Sequence, residues 1–260
     1  MTEAQPITGC SPQDIARHVF VCGDPARVTQ ISEGWSDVRE VCDVREYQIV
    51  TGQLEGLPVT AASTGIGAPG TAVLIEELAK LGADTFLRIG NSGGLASGLE
   101  LGDLVVTTGA VRDDGTSRSY VLPEYPAVAD HELVAALLAA ARDDGLRVHA
   151  GITWSLDAFY ARNARIDENG EMASMSVGGY WPSHLETRIR DMQAARVLNC
   201  EMESGVLLTL AGLFGLRAGC ICVVSDRTPW PGPAKIDLDL NMQACIEVAK
   251  SAMIAVASNE

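Results

Sequence analysis

Residues 57–94 read LPVTAASTGIGAPGTAVLIEELAKLGADTFLRIGNSGG, and this stretch decides the fold class. Leu57 to Ala62 is a short apolar run of strand character. It meets Thr64-Gly65-Ile66-Gly67-Ala68-Pro69-Gly70, where glycines and a proline interrupt regular structure. Thr71 to Leu81 then places apolar residues at helical spacing. Thr85 to Ile89 returns to a strand, which stops at the polar, glycine-rich Gly90-Asn91-Ser92-Gly93-Gly94. Strand, turn, helix, strand is the repeating unit of an α/β sheet.

The alternation continues on both sides. His18 to Cys22 is an apolar strand that runs through Gly23-Asp24-Pro25 into a helix from Ala26. Leu104 to Thr108 is a strand, His131 to Asp144 an alanine-rich helix, and Arg147 to Trp154 the strand that follows Gly145. Arg162 to Pro182 is polar and contains glycines; strands and helices resume on either side, so it reads as a loop or flap and not as a linker. A helix runs from Glu201 through Leu213, followed by Gly215, the strand Ala218 to Ser225 and a terminal helix from Leu238 to Ala257. There is no internal repeat. These elements predict one α/β domain over residues 1–260, with a mixed or parallel sheet between helical layers. Ligands in such sheets bind beyond the C-terminal ends of the strands.

Bulk properties narrow the function. At 260 residues with 47% hydrophobic and 20% charged residues, the chain is long enough for a large core. No apolar stretch reaches the roughly 20 residues of a membrane span. Met1 to Cys10 lacks a basic region followed by an apolar one, so it does not read as a secretory signal, and a cytoplasmic location is expected. The net charge of -15 excludes a nucleic-acid partner, since no basic stripe offsets it. The seven cysteines sit mostly in apolar runs, as buried free thiols do. Cys220 and Cys222 are spaced too closely for a zinc pair, so no metal is expected.

Four polar stretches at strand ends carry candidate chemistry. In Gly23-Asp24-Pro25-Ala26-Arg27, a tight turn before a helix start brings backbone N–H groups and an arginine toward an anion. It fits an ordinary strand-to-helix turn with a surface arginine equally well. Thr64 to Gly70 lacks a Walker lysine and the dinucleotide spacing, so its glycines serve either close ligand approach or strand–helix packing. Arg88, at the end of a buried strand, must be paired with an acid or face a site. Glu201-Met202-Glu203-Ser204 opens an apolar helix; one of its acids can meet ligand hydroxyls, or both can favour the helix N-terminus through its dipole.

Taken together, Gly23-Asp24-Pro25-Ala26-Arg27-Val28, Arg45-Glu46-Tyr47, Ser63-Thr64-Gly65-Ile66-Gly67, Arg88-Ile89-Gly90-x-Ser92-Gly93, Glu201-Met202-Glu203-Ser204 and Ser225-Asp226-Arg227 resemble, in order, the signature blocks of the nucleoside phosphorylase-I family. Asp113 to Ser117 and Pro123 to Asp130 resemble the middle section of its uridine-cleaving branch. The resemblance implies a three-layer α/β core with a mixed, partly barrelled central sheet. It further implies homo-oligomers, dimers or hexamers, whose active sites are shared between subunits, and phosphorolysis of a pyrimidine nucleoside to free base and ribose 1-phosphate. Inorganic phosphate is then the co-substrate, and no cofactor is expected.

By the same resemblance, Gly23, Arg27, Arg88, Asn91 and Ser92 match phosphate-binding positions, and Arg45 matches an arginine given by the neighbouring subunit. Met202 and Glu203 match the ribose contacts. Phe159 matches the aromatic that stacks on the base, Asn163 and Arg165 match its polar readers, Arg227 matches a second arginine near it, and Glu201 is expected as a further base contact. Four departures stand out. Asn91 replaces a frequent threonine, Asn163 is one methylene shorter than the usual glutamine, and Ile7 stands where a histidine for the 5′-hydroxyl is common. Asp226 resembles the acid that protonates N7 in purine-cleaving members.

The chemistry needs a positioned phosphate, a stabilised oxocarbenium-like sugar and an accommodated leaving base. Three arginines, Arg27, Arg45 and Arg88, are expected to neutralise and orient the phosphate through bidentate bonds, and Arg165 and Arg227 suit a pyrimidine anion. A purine would instead use a protonated Asp226. Ile7 leaves open a 5′-modified or 5′-phosphorylated pyrimidine nucleoside such as UMP. Hydrolysis without phosphate and a non-catalytic nucleoside-binding protein are the remaining alternatives.

Overall fold

In the computed structural model, which describes residues 4–231 and 236–259, strands and helices alternate along the chain. The strands are β1 (His18–Cys22), β2 (Ser36–Val44), β3 (Tyr47–Leu54), β4 (Leu57–Ser63), β5 (Thr85–Gly94), β6 (Leu104–Asp113), β7 (Ala127–Val128), β8 (Val148–Leu156), β9 (Ala164–Ile166), β10 (Met172–Ser174), β11 (Asn199–Glu201), β12 (Arg217–Arg227) and β13 (Trp230–Pro231). The helices are α1 (Pro25–Ser32), α2 (Ala68–Lys80), α3 (Gly115–Tyr120), α4 (His131–Asp143), α5 (Phe159–Arg162), α6 (Leu185–Ala194), α7 (Ser204–Phe214) and α8 (Met242–Ala257).

Helix starts follow their capping chemistry. The Asp24 carboxylate accepts from the Ala26 N–H, with Pro25 in the first turn of α1. Asp130 takes the N–H groups of Glu132 and Leu133 at the start of α4. Gly67 begins α2 at φ +98°, a conformation that costs glycine little.

The main sheet has ten strands in the order β11-β8-β6-β12-β5-β1-β4-β3-β2, with β7 paired to β6. Because β11 also pairs with β5, the strands β5, β11, β8, β6 and β12 close on themselves as a five-stranded barrel, and β1, β4, β3 and β2 continue from it as an open wing. Pairing is mixed: β1 runs parallel to β4 and β5, and β5 to β12, whereas β11 is antiparallel to β5 and β6 to β12. A smaller sheet joins β10, β9 and β13.

Side chains of β5 alternate between two cores. Leu87 and Ile89 enter the cluster beneath α1, α4 and α8, with Leu137, Ile246 and Met253. Phe86 faces the opposite cluster with Leu74, Leu78 and Leu207 of α2 and α7. Arg88 shares the parity of Phe86, and that brings a charged residue to the end where α7 begins.

The mixed sheet between helices agrees with the expected architecture, and several boundaries move. Gly90 to Gly94 is not a loop but the second half of β5, because β11 and β12 both bond to it. The segment Arg162 to Pro182 carries the β9–β10 hairpin, so it is not wholly irregular. The β2–β3 hairpin, α3, α6 and β11 went unread, the first because β2 is exposed along most of its length and lacks an apolar run. Among the described residues no helix is long and apolar enough to cross a membrane.

Candidate active site

A cavity of about 450 Å³ opens where β1, β5, β8 and β12 end. The C-terminal strand ends converge here, as sheet topology leads one to expect.

At its floor lies a buried charge cluster. Arg88 is 3% exposed; its Nε donates to Glu201 Oε2 at 3.0 Å and its Nη2 to Glu203 Oε2 at 2.5 Å. Glu201 is saturated, accepting also from the N–H groups of Glu203 and Ser204 and from the Ser204 hydroxyl. It therefore caps α7 and anchors Arg88, and the expected role as a base contact is corrected: no lone pair faces a base without giving up one of these bonds. Glu203 differs. Gly67 N–H donates to its Oε1 at 2.5 Å, and each oxygen keeps a free lone pair at the cavity wall. Burial raises its pKa, with Arg88 acting in the opposite direction.

Arg88 is consequently not a bidentate phosphate clamp. Two of its nitrogens are committed to carboxylates, and only Nη1 remains, buried and without a partner among the described residues. Arg27 lines the same cavity from α1; it is 7% exposed, its Nε is equally orphaned, and it makes no ion pair among the described residues. Both guanidinium groups lie near the Cys22 thiol, which burial raises to about 12 while the two cations pull it down. Two cations with buried N–H groups that lack a partner among the described residues thus line the cavity beside the Gly23 turn and the start of α1, an arrangement whose charge and donors suit an anion.

The opposite end is apolar with a polar patch. Phe159 of α5 lines it, with its ring edge-on to Trp230 at 6.0 Å. Asn163 is 3% exposed and its Oδ1 accepts from the Thr228 hydroxyl at 2.9 Å. Asp226 sits where β12 bulges between Val224 and Asp226, and burial raises its carboxyl to about 6. Met202 also lines the cavity. The structure thus brings together Gly23, Arg27, Arg88, Asn91, Ser92, Phe159, Asn163, Met202, Glu203 and Asp226 around one cavity.

Other expected residues lie elsewhere or face another way. Asn91 Nδ2 donates to the Leu238 carbonyl at 3.2 Å and the Ser92 hydroxyl to Val223 O at 3.1 Å, so neither side chain has its donor aimed at an anion. Arg227 turns away from the cavity and donates to Leu99 O at 2.5 Å, lining a neighbouring hollow. Arg165 is exposed on β9, and Arg45 is exposed at φ +59° in the β2–β3 turn; neither lines the cavity of its own chain. Ile7 is also outside it; its N–H and that of Thr8 are held by the buried Glu77 carboxylate at 3.0 and 2.8 Å. Sequence reading missed Thr228 and Cys200, one residue beyond Ser225-Asp226-Arg227 and one before Glu201-Met202-Glu203; extending each block by one residue would have found both.

Comparison with known proteins fits this arrangement. A family model described as the phosphorylase superfamily matches residues 17–258. The chain is 49% identical over 215 residues to a uridine phosphorylase of Thermococcus kodakarensis, covering 83% of this chain and 74% of that one. It is 41% identical to the Escherichia coli uridine phosphorylase, over 80% of each. A guanosine phosphorylase of Halorubrum lacusprofundi is 38% identical, over 82% of this chain and 80% of its own.

Proposed function

Since this chain belongs to the phosphorylase superfamily, we propose that it cleaves uridine with inorganic phosphate to uracil and ribose 1-phosphate. The observation that carries this reading is the pair of buried guanidinium nitrogens of Arg27 and Arg88, without a partner among the described residues, on the same cavity as Glu203. Uridine phosphorylases among the similar proteins support the choice of base.

Phosphate bound by Arg27 and Arg88 Nη1 is held against the anomeric carbon, so attack is effectively unimolecular. Glu203 accepts hydrogen bonds from the ribose hydroxyls; its negative charge, held by Arg88, favours the oxocarbenium-like transition state. The C1′–O bond to phosphate forms as the C1′–N bond breaks, and the electron pair leaves with the base, spread over its carbonyl oxygens. Phe159 packs on that base and Asn163 donates to it. Arg45, exposed at a hairpin tip, would complete a second subunit's phosphate site in a homo-oligomer, while roles for Arg165 and Arg227 at the base rest on the family resemblance alone. A cytoplasmic location suits a substrate drawn from nucleotide turnover.

Release of uracil from uridine by the pure protein, followed with and without phosphate, tests the reading. Uracil release that ignores phosphate makes the protein a hydrolase, and no release refutes the proposal. A second reading, purine nucleoside phosphorolysis, is favoured by the Asp226 carboxyl at about 6, which is able to hold a proton for a purine leaving group near neutrality. Parallel incubation with inosine and guanosine separates the two.

A further inference from the structure

We propose that Thr228 sets the specificity of the base pocket by orienting the Asn163 amide, so that only its N–H groups face the base and the group read there is a hydrogen-bond acceptor. This rests on the reading of the cavity as a nucleoside site.

A primary amide in a pocket has two faces. Its oxygen accepts and its nitrogen donates, and a free amide can rotate to suit either partner. Asn163 is not free. Its Oδ1 accepts from the Thr228 hydroxyl at 2.9 Å, with Asn163 3% and Thr228 2% exposed, so water does not compete for that bond. The direction of the bond is itself fixed from behind. The Cys200 thiol donates to Thr228 Oγ1 at 3.8 Å. Burial raises that thiol to about 12, so it stays protonated and acts as a donor. Thr228 thus accepts a hydrogen bond from one side and donates one to the other, a relay in which each bond polarises the next.

The relay needs room that only glycine leaves. A Cβ on Gly93 would stand 2.8 Å from Thr228 Oγ1, 3.1 Å from Asp226 Oδ1 and 3.2 Å from Cys200 Sγ. Those three groups meet over Gly93, and the hydroxyl enters the gap beneath the base end of the cavity. With Oδ1 occupied, Asn163 has donors alone to offer. A carbonyl oxygen of the base satisfies one of them, whereas a ring N–H placed there would leave donor facing donor. Thr228 is therefore a positioning residue that acts through Asn163.

The test compares wild type, Thr228→Val and Thr228→Ser for binding of uracil, 2-thiouracil and 4-thiouracil by calorimetry, with uridine turnover measured alongside. Free bases avoid the differing leaving-group abilities of thio-nucleosides, and two thio positions cover either orientation of the ring. Sulfur is a weak acceptor, so wild type is expected to prefer uracil to one thio base by about tenfold, the worth of one hydrogen bond. Thr228→Val, in which the amide is free to rotate, should compress that preference to about twofold, and Thr228→Ser should restore it. A general loss of packing lowers affinity for all three bases and leaves the ratio unchanged. An unchanged ratio in Thr228→Val, or no preference in wild type, overturns the proposal while uridine turnover stands. A wild type that neither binds uracil nor turns over uridine sinks both this proposal and the nucleoside-site reading.

Discussion

Replacing Asp226 by asparagine should stabilise the protein at alkaline pH and do little in acid. Asp226 is 6% exposed, and burial moves its carboxyl from the ordinary 3.8 to about 6. The folded state thus holds the proton more tightly than the unfolded chain does. The contribution of this group to stability is fully present below 3.8 and is lost as pH rises through about 6, where the folded protein must carry a buried anion. Each tenfold change in proton affinity is worth about 1.4 kcal/mol, so the cost reaches about 3 kcal/mol near pH 8 and falls below about 1 kcal/mol near pH 4. Asp226→Asn cannot ionise and escapes this cost at nearly constant volume. For a chain of this size, about 3 kcal/mol corresponds to roughly 6–12 °C in Tm. Thermal unfolding followed by circular dichroism at the two pH values measures it. A variant no more stable than wild type at the higher pH, or one that gains equally at both, would show that Asp226 is not a desolvated anion.

Arg27 and Arg88 should behave oppositely although both line the cavity. Arg27→Met removes a buried cation with no ion pair among the described residues, so Tm should hold or rise while the KM for phosphate climbs at least about tenfold. Arg88→Met strands Glu201 and Glu203 in the core, and urea denaturation should reveal a loss of about 3–5 kcal/mol. Asp113 binds Arg118, Arg162 and Arg188 and accepts from the Trp154 indole, so it ties α3, α5 and α6 together; Asp113→Asn should raise the KM for uridine more than it lowers kcat, because Phe159 rides on α5. Arg45→Ala should leave stability within about 0.5 kcal/mol, since the side chain is exposed, yet reduce phosphate affinity if subunits share sites; unchanged kinetics would place it outside the reaction.

The α/β class was legible because β1, β4 and β5 are largely buried and mostly apolar at their centres, with Arg88 the one charge among them. The site was legible only as residue types. Gly90 to Gly94 looked like a loop because glycine marks turns in most contexts, but here each missing Cβ makes space for a neighbour: one on Gly90 would meet Cys222 Sγ at 3.1 Å. Spacing alone did not separate Glu201 from Glu203. Which carboxylate caps the helix and which faces the cavity is decided by one residue of chain at the β11–α7 junction. The outward turn of Arg227 depends on the bulge in β12, a feature of register between distant strands that no local pattern carries.

Closure of the barrel has a consequence for biosynthesis. β11 is three residues long and seals the ring by joining Asn199 to Gly94 and Cys200 to Gly93. A chain still emerging from the ribosome already holds the Gly23 turn, Arg27 and Arg88, but neither carboxylate that steadies Arg88. Until residues 199–203 are made, Arg88 has neither of the ion pairs that offset its burial, so the end of β5 settles into the core only when β11 docks.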